Sequence, residues 1–119
     1  MAGARMRRVD EAMRVVLSEA IARDLHDPRV GFVTVTGVKT SPDLRQARVY
    51  VSVLGDEEGR AATLAALQTA HGFLQSRIAA AIRLKHTPSL SFQYDESVER
   101  GMRISALLDS LPELEDEHD

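Results

Sequence analysis

The chain has 119 residues, of which 44% are apolar, with 15 Lys and Arg against 18 Asp and Glu and no cysteine. This length holds one compact globular domain, and the absence of cysteine excludes disulfides and thiolate chemistry. The apolar runs are too short to cross a bilayer, and no apolar segment follows the basic start, so we expect no secretory signal and a cytoplasmic location.

Charge is divided unevenly along the chain. Six of the 18 carboxylates stand in residues 109–119, so residues 1–108 carry 15 cations against 12 acids, a net charge of +3. We therefore predict one mildly basic domain over residues 1–108 and an acidic, disordered tail over residues 109–119. The alternative is a tail that competes with a polyanion for the basic domain.

The first predicted element is an amphipathic helix over residues 5–25. Its apolar residues recur at spacings of three and four: Met6, Val9, Met13, Val16 and Ala20. This spacing places them on one face of a helix. Pro28 ends the helix, because proline disfavours α geometry in the residue before it. The Asp27-Pro28-Arg29 segment is interpreted as a rigid corner whose arginine is held by a carboxylate.

Two strands follow and form a predicted antiparallel hairpin. Residues 32–40 are rich in β-branched side chains, and Ser41-Pro42-Asp43 has the composition of a turn. Residues 47–53 alternate apolar and polar side chains, as in Ala47-Arg48-Val49. Such alternation directs one face of the strand to a core and the other outward.

Two helices are predicted next, and they meet at Ala70-His71-Gly72. Acids at residues 56–58 precede the first helix, where the macrodipole favours them, and Pro88 closes the second. Residues 59–94 contain no Asp or Glu in thirty-six positions. The cations in this run are Arg60, Arg77, Arg83 and Lys85. Cations without interleaved acids are typical of a surface that binds a polyanion.

A third strand and a short helix complete the pattern. Leu90, Phe92 and Tyr94 alternate with Ser91 and Gln93, which predicts a strand. Asp95 is a predicted N-cap for the last helix. The apolar residues of that helix are Met102, Ile104, Leu107 and Leu108.

The order αββααβ is that of the type II KH domain, an α+β RNA-binding fold. Over residues 5–108 the chain resembles the ribosome-binding factor A family of bacterial small-subunit assembly factors. The matching segments, in chain order, are Asp27-Pro28-Arg29, Asp43-Leu44, Ala47-Arg48-Val49-Tyr50-Val51, Ala70-His71-Gly72-Phe73, Arg83-Leu84, the segment from Pro88 to Ser97, and Gly101-Met102-Arg103-Ile104-Ser105. The resemblance implies a monomeric, non-enzymatic factor that binds the 30S subunit and its 16S rRNA during late maturation, with roles in rRNA processing and cold adaptation.

The resemblance also implies a kinked helix at Ala70-His71-Gly72 in place of the Gly-x-x-Gly loop of ordinary KH domains. Gly72 supplies the backbone freedom that a kink requires. A kinked helix shifts the expected recognition from base reading toward phosphate and shape contacts. The alternative is that Gly72 is a plain C-cap followed by a new helix.

Eight residues are predicted RNA contacts. Their positions are the start of the first helix, the second strand, the joint of the two helices and the second of those helices. They are Arg7, Arg8, Arg45, Arg48, His71, Arg77, Arg83 and Lys85. Cations at a helix start oppose the macrodipole, so helix stability does not explain Arg7, Arg8 or the neighbouring Arg5. For the others the alternatives are a solvated helix surface or pairing with a nearby acid.

Aromatic residues and histidines offer few further sites. Tyr50 and Phe73 are candidates for base stacking, whereas Phe92 and Tyr94 share one face of a strand and are assigned to the core. The four histidines, His26, His71, His86 and His118, lack the spacing of a metal site. No phosphate-binding loop or nucleophile motif occurs, so we predict no catalysis, metal, cofactor or small-molecule substrate. The alternative function is a small protein-interaction domain of similar topology.

Overall fold

The computed structural model describes residues 2–97, 100 and 107–108. In chain order the elements are α1 (Ala2–Glu19) with a π-helical turn (Ala20–Asp24), β1 (Val33–Thr40), β2 (Gln46–Val53), α2 (Glu57–Thr69), α3 (His71–Ala81) and β3 (Ser89–Tyr94). This is the predicted αββααβ order. The acidic tail and most of the predicted last helix lie outside the described residues. Leu107 and Leu108 are described, and both are exposed.

The first helix differs from its prediction at both ends. It begins at Ala2, and its α-helical part stops at Glu19, before a π-helical turn over Ala20–Asp24. The Leu25 N–H closes this turn by donating to the Ala20 carbonyl at 3.0 Å. Ala20 and the following Ile21 stay buried because they continue the helical stripe of Met13 and Leu17 toward the core.

The corner after α1 is confirmed. The Asp27 carboxylate accepts hydrogen bonds from the Arg29 backbone N–H and from the Arg29 guanidinium, each at 2.9 Å. These bonds hold the pKa of the Asp27 carboxyl below its usual value, the side-chain bond contributing most. Arg29 is therefore occupied in shaping the chain path.

The three strands form one sheet in the order β1-β2-β3. β1 pairs antiparallel with β2, which confirms the hairpin, and β2 pairs parallel with β3. A parallel pair needs a long crossover connection, and α2 and α3 supply it. The register of β1 shifts between Val35 and Gly37, which places Thr36 in a bulge.

Asp95 links this bulge to the end of β3. Its carboxylate accepts hydrogen bonds from the Thr36 hydroxyl at 2.6 Å and from the Ser97 N–H at 2.9 Å. The second bond is of the kind predicted for a capping residue. Hydrogen bonds from Ser97 and then Thr36 lower the pKa of the Asp95 carboxyl.

This lowered pKa predicts a pH dependence of folding. A carboxyl whose folded-state pKa lies below its unfolded value stabilises the fold above the unfolded pKa, near 3.9 for Asp. That contribution is lost as the pH falls through the folded-state pKa. We expect Asp95→Asn to weaken the dependence of the free energy of unfolding on pH below about pH 4. Urea denaturation of both proteins between pH 2.5 and 6 measures this, and identical slopes would contradict it.

All three helices contribute side chains to a core on one face of the sheet. The buried apolar residues are Met13, Leu17, Ala20, Ile21, Val35, Ala47, Val49, Val51, Val53, Leu67, Leu74, Ile78 and Leu90. Phe92 packs against this core, and the Arg60 guanidinium lies 3.8 Å above the Tyr94 ring on the same side. The strand residues between them, such as Arg48, Ser91 and Gln93, point to the opposite face and are exposed. No helix of the described part of the chain packs on that face.

The joint between α2 and α3 is a kink at one residue. Ala70 adopts φ −85° and ψ 9°, between the two helices. The Ala70 N–H donates to the Ala66 carbonyl, and the Leu74 N–H donates to the Ala70 carbonyl, both at 3.0 Å. The two helices therefore meet at Ala70 without an intervening loop, and the implied kinked helix is confirmed. Gly72 lies in the first turn of α3 and has no positive φ, so its interpretation as a C-cap is wrong.

Gly72 therefore has a backbone that any residue can adopt. A Cβ added at this position meets no atom within 4 Å. We expect Gly72→Ala to raise the free energy of unfolding by up to about 1 kcal/mol, because alanine has the higher helix propensity. Thermal denaturation followed by circular dichroism measures the change. A destabilised variant would show that the kink depends on glycine at position 72.

Candidate nucleic-acid interface

Three segments that are distant in sequence meet at one end of the sheet. They are the start of α1, the β1–β2 hairpin around its turn, and the loop that leads into the start of β3. The Ser89 N–H donates to the Arg45 carbonyl at 2.9 Å, and the Asp10 carboxylate accepts from the Thr40 N–H at 3.0 Å. We call this region the basic end. Its cations are Arg5, Arg7, Arg8, Lys39, Arg45, Arg48, Arg83 and Lys85.

The packing of α1 against α3 adds the helix-borne cations to this end. Arg5, Arg8, Val9 and Ala12 line a shallow hollow together with Ile82, the residue before Arg83. The start of α1 thus lies beside the end of α3. The Gln75 side chain of α3 donates to the Thr87 and Pro88 carbonyls at 3.2 and 3.0 Å, which attaches the loop before β3 to α3. Arg83 and Lys85 are exposed on the chain between these contacts.

The acids near the basic end are engaged by other groups. Glu11 accepts hydrogen bonds from the Arg14 guanidinium, which lower the pKa of the Glu11 carboxyl. Asp43 accepts from the Ser41 hydroxyl at 2.6 Å and from the Arg45 backbone N–H at 3.0 Å. The Arg45 guanidinium forms no ion pair with this carboxylate. None of the eight cations forms an ion pair with another described residue. Their charge is therefore available to a ligand.

Two of the eight predicted contacts lie apart from the basic end. The Arg77 guanidinium is 3.6 Å from the Asp24 carboxylate and 5.1 Å from the centre of the Phe73 ring. His71 is exposed at the first residue of α3, at the opposite end of that helix from Arg83. The other six, Arg7, Arg8, Arg45, Arg48, Arg83 and Lys85, belong to the basic end.

Lys39 belongs to the site but was missing from the sequence-based prediction. It points outward from β1 and stands opposite Arg48 of β2 in the register. Alternation along β1 alone does not identify it, because the bulge at Thr36 reverses the faces of the residues that follow. The strand register therefore identifies this cation, and no pattern in the sequence does.

A depression of about 520 Å³ opens on the exposed face of the sheet beside the basic end. Its described lining is polar or cationic at most positions and contains no acid. The lining residues are Lys39, Thr40, Ser41, Pro42, Gln46, Ala47, Arg48, Ser89, Leu90, Ser91 and Gln93. The volume lies within the range of about 300–1,000 Å³ that is usual for ligand sites.

The far end of the sheet carries many acids, three of which pair with cations. β2 and β3 both run toward it, and the acids there follow α1, β2 and β3 in the chain. They are Asp24, Asp27, Asp56, Glu57, Glu58, Asp95 and Glu96. Phe32 and Leu54 lie at the same end, joined by a backbone hydrogen bond of 3.1 Å and exposed at 81% and 78%. The prediction of stacking rings did not select Phe32, the most exposed aromatic residue of the described chain.

The described residues lack two other features, a cluster of metal ligands and a membrane-spanning helix. They hold no group of three or more His, Asp and Glu side chains placed to bind a metal ion. None of the helices in this part of the chain is long and apolar enough to cross a membrane.

The fold and the basic end define a KH-like α+β domain with a surface suited to a polyanion. The family model described as Ribosome-binding factor A matches residues 5–108, and the chain belongs to this family. It is 59% identical over 102 residues to Ribosome-binding factor A of Anaeromyxobacter sp. strain K, covering 85% of this chain and 74% of that protein. The relative from Anaeromyxobacter dehalogenans strain 2CP-C has the same identity and coverage.

Solved structures of this family share the fold. The crystal structure of ribosome-binding factor A from Thermus thermophilus is 31% identical, with a TM-score of 0.67 over 75% of this chain and 94% of that one. A homology model of the Thermus thermophilus factor was fitted into a cryo-electron microscopy map of a complex between the 30S subunit and that factor. This fitted chain is 33% identical, with a TM-score of 0.59 over 71% of this chain and 89% of that one. These likenesses confirm the KH-like fold expected from the sequence.

Proposed function

We propose that this protein binds the 30S ribosomal subunit through its basic end and contacts the backbone of 16S rRNA during late maturation of the small subunit. The observation that carries the proposal is the convergence of eight cations from three segments, none of them paired with a described acid. The complex of the Thermus thermophilus factor with the 30S subunit supports the same target.

The geometry favours contacts to phosphates and to RNA shape over base reading by a KH groove. Arg83, Lys85 and Arg45 lie in a loop and at a turn, where exposed side chains reach a curved backbone. The kink at Ala70 leaves no Gly-x-x-Gly loop to clamp a strand. Binding of this kind depends on the release of counterions, so its affinity falls steeply with salt.

The proposal includes the way in which the factor acts. It acts by binding, without catalysis, cofactor or small-molecule substrate, as a monomer in the cytoplasm, and it supports rRNA processing and growth in the cold. Residues 1–108 form the binding domain, and residues 109–119 form an acidic tail. The charge at the basic end supports the binding mode, and family membership supports the biological role.

Co-sedimentation across a salt series tests the proposal. The purified protein is sedimented with immature 30S, mature 30S and, as a control, 50S subunits. We expect selective binding to 30S particles, with log affinity falling against log salt by about 0.7–0.9 for each phosphate neutralised. No binding to any particle at low salt would contradict the proposal.

The exposed pair Phe32 and Leu54 favours a second candidate, a protein-interaction domain. An exposed apolar pair at the far end of the sheet, where many acids lie, suits a protein partner better than a nucleic acid. This candidate predicts binding to a protein that changes little with salt, and no binding to RNA. The same salt series therefore distinguishes the two functions.

A further inference from the structure

Outward side chains on the exposed face of the sheet form rows that differ in chemical character. The register aligns outward side chains in rows across the three strands. One row is Lys39, Arg48 and Ser91, and the next is Gly37, Tyr50 and Gln93. Rows on one face are two residues apart, or roughly 7 Å. Two cations on adjacent strands are thus followed, one row further, by an aromatic ring.

The neighbours of Tyr50 leave room beside its ring. Gly37 stands opposite it on β1 and has no side chain, and a Cβ added there meets no atom within 4 Å. Tyr50 is half-buried and belongs to the outward set of β2, whereas Val49 and Val51 on either side are fully buried. The residue opposite Tyr50 therefore contributes no side chain that would cover its ring.

Charge along this face favours an anionic ligand. The depression that begins at Ser41 and Gln46 and extends to Gln93 has no acid among its described lining residues. Asp43 is held by Ser41 and by the Arg45 N–H, and Asp95, beyond the Tyr50 row, is held by Thr36 and Ser97. A ligand with negative charge over Lys39 and Arg48 thus meets no free carboxylate before it reaches Tyr50.

We propose that this face of the sheet, on the side opposite the helices, binds a single-stranded RNA segment, with a phosphate on Lys39 and Arg48 and a base stacked on Tyr50 in the space left by Gly37. Gln93 and Ser91 offer hydrogen bonds to the same segment. A single strand fits better than a duplex, because the bases of a duplex are paired and stacked and cannot reach a ring on a sheet. The inference rests on the proposed function, since it assigns part of the RNA contact to the sheet face that adjoins the basic end and shares Lys39 and Arg48 with it.

Tyrosine fluorescence reports on this site directly. The chain has two tyrosines and no tryptophan, so Tyr94→Phe leaves Tyr50 as the single fluorophore while keeping a ring beneath Arg60. The probe is a fluorescein-labelled decamer of oligouridylate for anisotropy and its unlabelled form for quenching. We expect the decamer to quench Tyr50 with the same dissociation constant that anisotropy gives. Binding without quenching, or no binding at low salt, would overturn the inference.

The substitution Gly37→Val tests RNA binding at this site without lowering the stability of the fold. Valine suits a strand better than glycine, and the open space accepts it, so the thermal midpoint stays equal or rises. The new side chain fills the space beside Tyr50, and we expect the affinity for the decamer to fall about 5- to 150-fold, the range for loss of one stacked base. Thr34→Val, on the same strand and beyond the bulge, is the matched control and keeps full affinity. Equal affinities of the two variants would overturn the inference.

Co-sedimentation of Gly37→Val with 30S subunits separates this inference from the proposed function. The variant leaves Arg83, Lys85 and the start of α1 unchanged, so salt-sensitive binding to 30S persists, with a lower affinity than that of the unchanged protein. If the unchanged protein binds 30S but not the decamer, the inference about the sheet face fails and the proposed function stands. If it binds neither, both fail.

Discussion

Charge reversal of Arg83 and Lys85 together is expected to abolish binding to the 30S subunit and to leave the fold intact. Both side chains are exposed and pair with no described acid, so the fold loses no contact when they change. Each hydrogen bond to a charged group contributes about 1.5–3 kcal/mol, so losing two lowers the affinity at least about 100-fold before repulsion is counted. Co-sedimentation at low salt and thermal denaturation measure the two effects.

A control variant with the same change in net charge separates the effect of position on binding from the effect of net charge. Arg23 and Arg100 are exposed and lie outside the basic end. Arg23→Glu with Arg100→Glu changes the net charge as much as Arg83→Glu with Lys85→Glu. We expect the control to retain most of its affinity and the first variant to lose it. Equal losses would show that binding responds to overall charge, and unchanged binding by both would remove the basic end from the proposal.

Leu17→Ala is expected to have the largest effect on stability. Leu17 is fully buried where α1 packs on the sheet. Removal of a buried leucine side chain costs about 2–5 kcal/mol, because it loses apolar contacts and leaves a cavity. For a domain of about 100 residues, each kcal/mol lowers the melting temperature by about 4–8 °C. Thermal denaturation should therefore show a fall of at least about 8 °C.

Val15→Ala is the matched control within the same helix. Val15 is 43% exposed, and alanine has the higher helix propensity. We expect its free energy of unfolding to change by less than about 0.5 kcal/mol. Similar losses in the two variants would mean that α1 does not pack through the face that carries Leu17.

The repeating patterns in the sequence predicted most of the fold. Met13, Val16 and Ala20 indicated a helix, and the alternation around Val49 and Val51 indicated a strand, because burial on one face leaves a period in the sequence. The π-helical turn over Ala20–Asp24 was not predicted, since an added residue in one turn leaves no signal of its own. The kink was expected from Gly72, yet it lies at Ala70, whose backbone needs no special residue.

The candidate site was predicted less completely, for a different physical reason. Arg83 and Lys85 were found because cations without nearby acids are visible along the chain. Their association with Arg8 and Arg45 depends on how α1 and the hairpin pack, which no local pattern encodes. Arg77 shares the acid-free run but turns toward Asp24, an acid more than fifty residues earlier in the chain. An ion pair between residues so far apart in sequence can be recognised only from the folded structure.

The separation of positive and negative charge at the two ends of the sheet has a kinetic consequence. The formal net charge of the whole chain is −3, but beyond one Debye length this charge is largely screened and has little effect on a polyanion. Within about 10 Å at 0.1 M salt, which is one Debye length, the ends act separately. An approach with the basic end leading is then attracted more strongly than the reverse orientation. The molecule is thus turned to face RNA as it arrives, and productive encounters become a larger share of all collisions.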